Sequence, residues 1–476
     1  MNVEQMHMAI SEEHQAARQG GDAEAMTEST LKFLRLYEEF PQHPQILFSA
    51  ATCFMNMGYN ALARVVFSAL IDSGSQEVPE FWNNLGVACR NMHLLDEALN
   101  AFIKSIDLNP FESNYYSNFS TLFINEGESQ AGEVLSQEAI KLSPTNYRAL
   151  WNYSLLLLEE GRLSEGFELY DAGLLSGDRI IRTYYKDNPL PAWTGEPDQN
   201  VIFYDEQGIG DRILFANALR LAIPRCRRAI IDCHPRLYGL YERSFRHLTP
   251  HIYPTSKDEA PEWVSAHPDF EYRIATGSLP RYFWKDPESI DTTAYLKADP
   301  EKVATVKEAL KDYPKPWIGF AWSGGTVKTH AKARTFKIGH LYHFMEVNSQ
   351  GTWVSLEYPP GSGDQVRKSA QEKGLAMVHF DDWVHDFDYD WNAAIAHNMD
   401  LVITPCTSLV HLCGALGVPC WVMVPRKRAW RYAATDSMSW YSTVKQYHQE
   451  VHGQWGGVLG RIKIDLMRWM LIGGYL

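Results

Sequence analysis

The chain contains no run of about 18 apolar residues, so no transmembrane helix is expected. Its first 20 residues are polar and charged rather than apolar, which argues against a secretory leader and predicts a cytoplasmic protein. Cysteine is sparse: there are 7, an odd number, with no close CxxC pair. A disulfide framework and a ribbon-type zinc site are therefore excluded. Cys406, Cys413 and Cys420 recur every seven residues but fall on a loop, a helix and a strand, so buried reduced thiols are expected instead. Excess positive charge is missing too. At a net charge of −14 the chain repels phosphate backbones on average, and nucleic acid is not its default partner. The short basic clusters at 225–228 and 425–428 read as solvated surface. No Gly-x-Gly-x-x-Gly follows a first strand with a ribose-binding acid at the usual spacing, which leaves a Rossmann oxidoreductase without support.

What is present fits a soluble globular composition, 45% hydrophobic and 21% charged, over 476 residues, enough for about two to four domains. An internal repeat dominates the first third. Trp82, Leu85, Gly86, Ala98, Phe102 and Pro110 match the tetratricopeptide (TPR) signature position by position. A step of 34 residues leads to Tyr116, Phe119, Ser120, Gly132 and Pro144, and a second step to Leu150, Tyr153, Ser154, Gly166 and Tyr170. Large residues on one helix would fill the gap left by Gly or Ala on its partner. A single hairpin cannot bury its apolar face, so several must stack. About four to five hairpins are expected over residues 1–182, the outer ones diverged as caps. Such an array either presents a concave face to an acceptor or partner, with Asn83, Asn114, Asn118 and Asn152 as candidate lining, or only props up the rest and makes a homodimer.

Residues 183–200 carry three Pro and one Gly within Asn188 to Pro197, which marks a linker. A buried strand is expected at 201–204, then a loop through Gly208 and Gly210 to Asp211, then a helix from Arg212. The glycines allow a ligand close to the backbone, and the helix start favours an anion. Asp211 is set at the mouth of the sheet, where it serves either as a general base for an acceptor hydroxyl or as a helix cap. Further strands are expected at 229–233 and 270–274.

A second α/β lobe begins with a strand at 317–322 that ends in Ser323, Gly324, Gly325 and Thr326. The segment after it is basic, with Lys328, His330, Lys332 and Arg334, and suits a diphosphate. A strand at 353–357 ends at Glu357, which either accepts hydrogen bonds from a ribose or caps its own loop. Asp386, Asp388 and Asp390 spell the Asp-x-Asp pattern of some metal-dependent sugar transferases, but they lead into a helix whose dipole explains them, and no metal is expected. The strand at 401–404 runs into a helix start at Thr407 and Ser408, a phosphate cradle. His411, one turn in, either points at the same site or sits satisfied in the core.

These pieces carry a resemblance. Trp193-Thr-Gly195, Glu206 through Asp211, Ser278-Leu-Pro280 and Gly319 to Trp322 come first, in order. Arg334, the run from Asp400 to Ile403, Thr407, the run from His411 to Gly417, Trp430-Arg431 and Trp440-Tyr441 follow. Together they resemble bacterial TPR proteins whose C-terminal half is similar to the ADP-heptose:lipopolysaccharide heptosyltransferases. The resemblance implies a GT-B glycosyltransferase fold, with two Rossmann-like lobes at 201–312 (acceptor side) and 313–476 (nucleotide-sugar side). It implies Asp211 as catalytic base, with Thr407, Ser408 and Leu409 on the donor phosphates and Arg334 or Lys328 on the leaving diphosphate. The chain departs from the family at Cys406, where members often carry Asp. The expected function is metal-independent, inverting transfer of a sugar from a nucleotide sugar to a hydroxyl of a macromolecular acceptor: protein, glycan or nucleic acid. The alternatives are a non-catalytic TPR scaffold with a degenerate transferase lobe and a sugar transferase acting on modified bases.

Overall fold

Small residues at fixed spacing set how closely the first helices approach. The structure, a computed structural model, describes residues 2–20, 22–256, 261–325, 331–384, 388–433 and 435–475. The chain divides into two compact units, Met1–Leu156 and Leu157–Leu476. In the first, helices pair as Val3–Gly20 with Ala23–Glu39, Pro44–Asn56 with Asn60–Asp72, Pro79–Asn91 with Leu95–Leu108, and Ser113–Glu126 with Ser129–Leu142. This unit is a TPR-like helical solenoid. Gly86 faces the ring of the fully buried Phe102, and a Cβ there would sit 2.8 Å from it. The same two positions 34 residues on are Ser120 and Ser136, which hydrogen-bond to each other at 2.6 Å. One repeat closes its hairpin with a glycine under a ring, the next with paired hydroxyls. Gly132 packs on Ile124, where a Cβ would meet Cγ1 at 2.6 Å.

The asparagines expected on a concave face bind one another between repeats. Asn118 donates to Asn83 at 3.1 Å, and Asn146 donates to Asn114 at 3.1 Å. Asn152 reaches Ser117 and Thr121, both at 3.5 Å. These side chains tie successive hairpins together in register.

The division between the units falls inside the helix Tyr147–Glu159, upstream of the boundary expected at 182. The reason is packing. Phe167, Tyr170 and Arg179 make their ring and ion-pair contacts with Phe215, Trp284, Trp430 and Glu206 of the α/β body.

The second unit holds two sheets. In the first, β1 (Asn200–Tyr204), β2 (Arg228–Cys233), β3 (Ile252–Pro254) and β4 (Tyr272–Ala275) lie in the order β3-β2-β1-β4, all parallel. In the second, β5 (Trp317–Phe320), β6 (Thr352–Ser355), β7 (Ala376–His379), β8 (Leu401–Pro405), β9 (Cys420–Val424), β10 (Ser437–Met438) and β11 (Tyr441–His448) lie in the order β10-β11-β9-β8-β5-β6-β7. Only β10 runs antiparallel to its neighbour. Strands of near-continuous apolar sequence suit this position, because a parallel sheet is covered on both faces. Val458, Leu459, Ile462 and Leu466, one stripe of the helix Gly456–Ile472, pack with Ile318, Phe320 and Trp353. Among the described residues no helix is long and apolar enough to cross a membrane.

Gly86→Val would force its side chain into Phe102. It is expected to destabilise the solenoid by about 1–3 kcal/mol, the usual cost of overpacking. Urea unfolding followed by helical circular dichroism reads this as an earlier transition, and an unchanged midpoint would refute the packing argument.

Candidate functional site

A doubly wound sheet opens a crevice where the chain reverses its direction of winding, at the carboxyl ends of two adjacent strands. In the first sheet that point lies between β1 and β4, and the chain fills it with its own side chains. Glu206, just after β1, is buried and accepts from Arg179 Nε at 3.1 Å and Nη2 at 2.7 Å. It also accepts from Gln207 at 2.7 Å and from the Gly277 backbone N–H, just after β4, at 3.3 Å. Arg179 is itself fully buried, paired with Asp171 at 2.7 Å and lying over the Tyr170 ring at 4.6 Å. Next to Glu206, Asp205 accepts the His234 backbone N–H at 2.6 Å and pairs with Arg212 at 3.2 Å. Burial pushes the Asp205 carboxyl up to about 6, against the pull of Arg212 and Arg182.

In the second sheet the reversal lies between β5 and β8. The loops there are Ser323 to Gly325 and Cys406 to Thr407. Gly324 faces the Thr407 methyl, and Gly325, at φ +89°, faces the Arg334 guanidinium. Arg334 donates to the Cys406 carbonyl at 2.7 Å, so both partners brace the turn. Thr407 caps the helix Ser408–Leu416 by accepting from Leu409 N at 3.2 Å. Cys406 turns its side chain into the core, where burial pushes its thiol up to about 12.

A small, partly open pocket with a cavity volume of about 40 Å3 lies at this point. Ser323, Glu357, Thr407, Ser408 and Leu409, all candidate donor-binding residues from the sequence, line it. Tyr358, Tyr389 and Asn392 join them, and Arg236 enters from the first lobe, from the loop that follows β2. Tyr389 and Ser408 share a hydroxyl–hydroxyl bond of 2.5 Å.

Asp211 does not line this pocket. The helix Ile209–Ala222 starts three residues earlier than expected and is capped by the Gly208 backbone, so Asp211 lies in its first turn rather than at the cap. Arg431 binds the carboxylate through Nε and Nη2, and both contacts fall on Oδ1. Oδ2 is left on the Gly208 side, where a glycine Cβ would be 3.4 Å from it. Gly210 brings the two lobes together: a Cβ there would meet the His411 ring at 2.9 Å and Ser408 Cα at 3.3 Å. His411 is buried against Tyr441, its Nδ1 at 3.3 Å from the tyrosine hydroxyl. Burial, then the nearby Arg431, push its pKa down to about 3, so the ring is neutral. It sits in the core and does not line the pocket.

Two further expectations resolve structurally. Glu357 accepts from the backbone of Trp322 at 2.7 Å and of Ser323 at 2.9 Å, and from the Ser323 hydroxyl. Its carboxylate therefore caps its own loop, one of the two roles expected for it, while still lining the pocket. Asp388 caps the helix Tyr389–His397 and pairs with Lys302 at 2.6 Å, while Asp390 is held by Arg243 from the first lobe at 2.9 and 3.0 Å. Thr326 and Lys328, together with His330 and Asp386, lie outside the described residues. Sequence reasoning missed Arg236, Tyr358, Tyr389 and Asn392. Arg236 has a single signal, a lone cation just past a buried strand.

No family model matches the chain. Among curated proteins it is similar to Protein FlbA of Caulobacter vibrioides, 26% identical over 411 residues that cover 82% of this chain and 67% of that protein. Among solved structures it is similar to a thermophilic TPR protein of Thermus thermophilus, with 19% identity over 36% of this chain and 92% of that one and a TM-score of 0.31. MamA of Desulfovibrio magneticus RS-1 matches at 13% identity over 36% of this chain and 96% of that one, with a TM-score of 0.28. None of these names states a reaction.

The Asp211–Arg431 pair joins the two lobes at a partly buried point. A double-mutant cycle of Asp211→Asn and Arg431→Gln is expected to give a coupling of about 0.5–3 kcal/mol in stability; additive single effects would show the pair to be idle. For Asp205, the folded carboxyl titrates near 6 and the unfolded one near 3.9, so the folded state binds the proton more tightly. This contribution is full below about 4 and is lost as pH rises through about 6. Lowering the pH from 7 to 4.5 should therefore move the Tm difference between wild type and Asp205→Asn in favour of wild type. A difference that moves the other way contradicts the burial argument.

Proposed function

We propose that the second unit is a glycosyltransferase of the GT-B kind, moving a sugar from a nucleotide-sugar donor to a hydroxyl of a macromolecular acceptor. The observation that carries this reading is the pocket at the β5/β8 reversal, with a helix start on one side and residues of both lobes around it. The reaction needs a base, a bound leaving group and an aligned donor. Asp211 supplies the base: Arg431 holds Oδ1, which orients the carboxylate, and Oδ2 takes the acceptor proton. The acceptor oxygen then bonds to the anomeric carbon as the bond from that carbon to the diphosphate oxygen breaks. The nucleoside diphosphate leaves with the electron pair and the anomeric configuration inverts. Thr407, Ser408 and Leu409 at the helix start meet the growing negative charge, with Arg334, which braces the same turn, as the cation beside it. The solenoid supplies a binding face for the acceptor.

A second reading, a non-catalytic binding protein with a retained nucleotide pocket, is favoured by one observation: Asp211 is engaged by Arg431 and lies off the pocket wall. A single experiment separates the two. A panel of nucleotide sugars is screened by thermal shift and by product release, with wild type beside Asp211→Ala. Transferase chemistry predicts a donor that raises the Tm of both proteins but is turned over by wild type alone, with a loss of at least about 100-fold in the variant. A stabilising ligand with equal, vanishing turnover in both would leave the binding protein. No stabilising nucleotide or nucleotide sugar would remove the pocket's proposed role.

A further inference from the structure

Arg236 belongs to the first lobe yet lines the second-lobe pocket. Its guanidinium makes no hydrogen bond or ion pair among the described residues, and its Nε is buried without a partner. A buried guanidinium N–H left unpaired is costly, and such atoms are expected to find an acceptor when the site is filled. The side chain is held in place: its Cζ lies 5.1 Å from the centre of the Tyr389 ring, and Tyr389 is bonded to Ser408 at the helix start. The loop that carries it is tethered as well. The Arg236 backbone N–H donates to His234 Nδ1 at 3.2 Å, and the His234 backbone N–H donates to Asp205 at 2.6 Å.

Arg334, expected to meet the leaving diphosphate, does not line the pocket and is bonded to the Cys406 carbonyl. Glu357, the acid in the wall, already receives three hydrogen bonds from Trp322 and Ser323. What remains to meet a ligand is a planar fork of N–H donors opposite a capped helix start, a combination that fits a phosphate oxygen pair.

We propose that Arg236 is the anion-binding residue of this pocket, that the group it takes is the diphosphate of a nucleoside diphosphate, and that the first lobe thereby completes the donor site. The diphosphate follows from the geometry of Arg236 and the helix start, whereas the nucleoside rests on the transferase reading above. It follows that a ligand lacking phosphate uses only the second-lobe wall, while a diphosphate bridges both lobes.

Isothermal titration of the full chain tests this with the common nucleoside diphosphates, the matching nucleosides and inorganic pyrophosphate, on wild type, Arg236→Gln and Arg236→Lys. The expected result is that Arg236→Gln weakens nucleoside diphosphate binding about 10- to 100-fold and leaves nucleoside binding unchanged, while Arg236→Lys recovers part of the loss as a point charge would. Pyrophosphate binding that depends on Arg236, with no affinity for any nucleotide, would keep the anion site and remove the transferase reading. Equal weakening of nucleoside and diphosphate would overturn the proposal, since Arg236 would then act only by shaping the wall through Tyr389. Unchanged diphosphate binding in Arg236→Gln, or no binding of diphosphate and pyrophosphate by wild type, would overturn it outright.

Discussion

The arrangement of the second unit hangs on the missing side chain of Gly210. Because nothing projects from that position, the first turn of the helix Ile209–Ala222 rests on Ser408 and His411 at the start of the helix Ser408–Leu416. Two helix N-termini brought this close place their partial positive charges side by side, which is unfavourable unless something negative is near. Asp211 provides that charge from within the first turn, and Arg431 fixes it there. A protonated His411 would worsen the balance, and burial keeps it neutral. The same convergence that needs Asp211 also leaves the region receptive to an anion, so the packing requirement and the proposed chemistry share one electrostatic origin.

Around this junction the rings of Phe167, Tyr170, Phe215, Trp284, Trp430 and Trp440 meet edge-to-face or offset, with centroids 5.4 to 6.3 Å apart. Each such contact adds about 0.5–1.5 kcal/mol beyond burial. Trp430 matters doubly, because the Arg431 guanidinium lies 5.2 Å from its ring centre while reaching Asp211. The aromatic cluster thus holds rigid the residue that orients the carboxylate. Residues from the tail of the helical repeats, from the first lobe and from the second all contribute rings.

Much of this was legible in the sequence, and the exceptions have physical causes. The TPR spacing stood out because Gly, Ala and Phe recur where hairpins must interlock, as at Gly86 and Phe102. Strands β1, β8 and β9 announced themselves as unbroken apolar runs, since both faces of their sheets are covered. By contrast β11, whose sides alternate between buried and exposed, and the two-residue β10 carried too little pattern to read. The short β3 and β7 were hidden for the same reason. Ser323, Thr407 and Ser408 were found because local signals mark strand ends and helix starts. Arg236 and Tyr389 were not, because what makes them part of the pocket is a meeting of segments about 150 residues apart, which no local spacing encodes. For His411 and Glu357 the sequence left two roles open each, because a polar residue beside a site reads alike as ligand or as structural group until its burial and hydrogen bonds are known.

Arg179 carries a consequence for how the protein can be divided. Its guanidinium sits where the first sheet would otherwise offer a ligand crevice, wholly buried and locked to Glu206. The chain is in effect its own permanent occupant there, and the occupant arrives from upstream of the linker. A fragment begun at Val201, the natural cut by eye, would leave Glu206 as a buried carboxylate without its cation and strip Phe167 and Tyr170 from the aromatic cluster. The α/β half and the last turn of the repeat are one folding inheritance, and a severed α/β half would be a damaged protein before it was ever an inactive one.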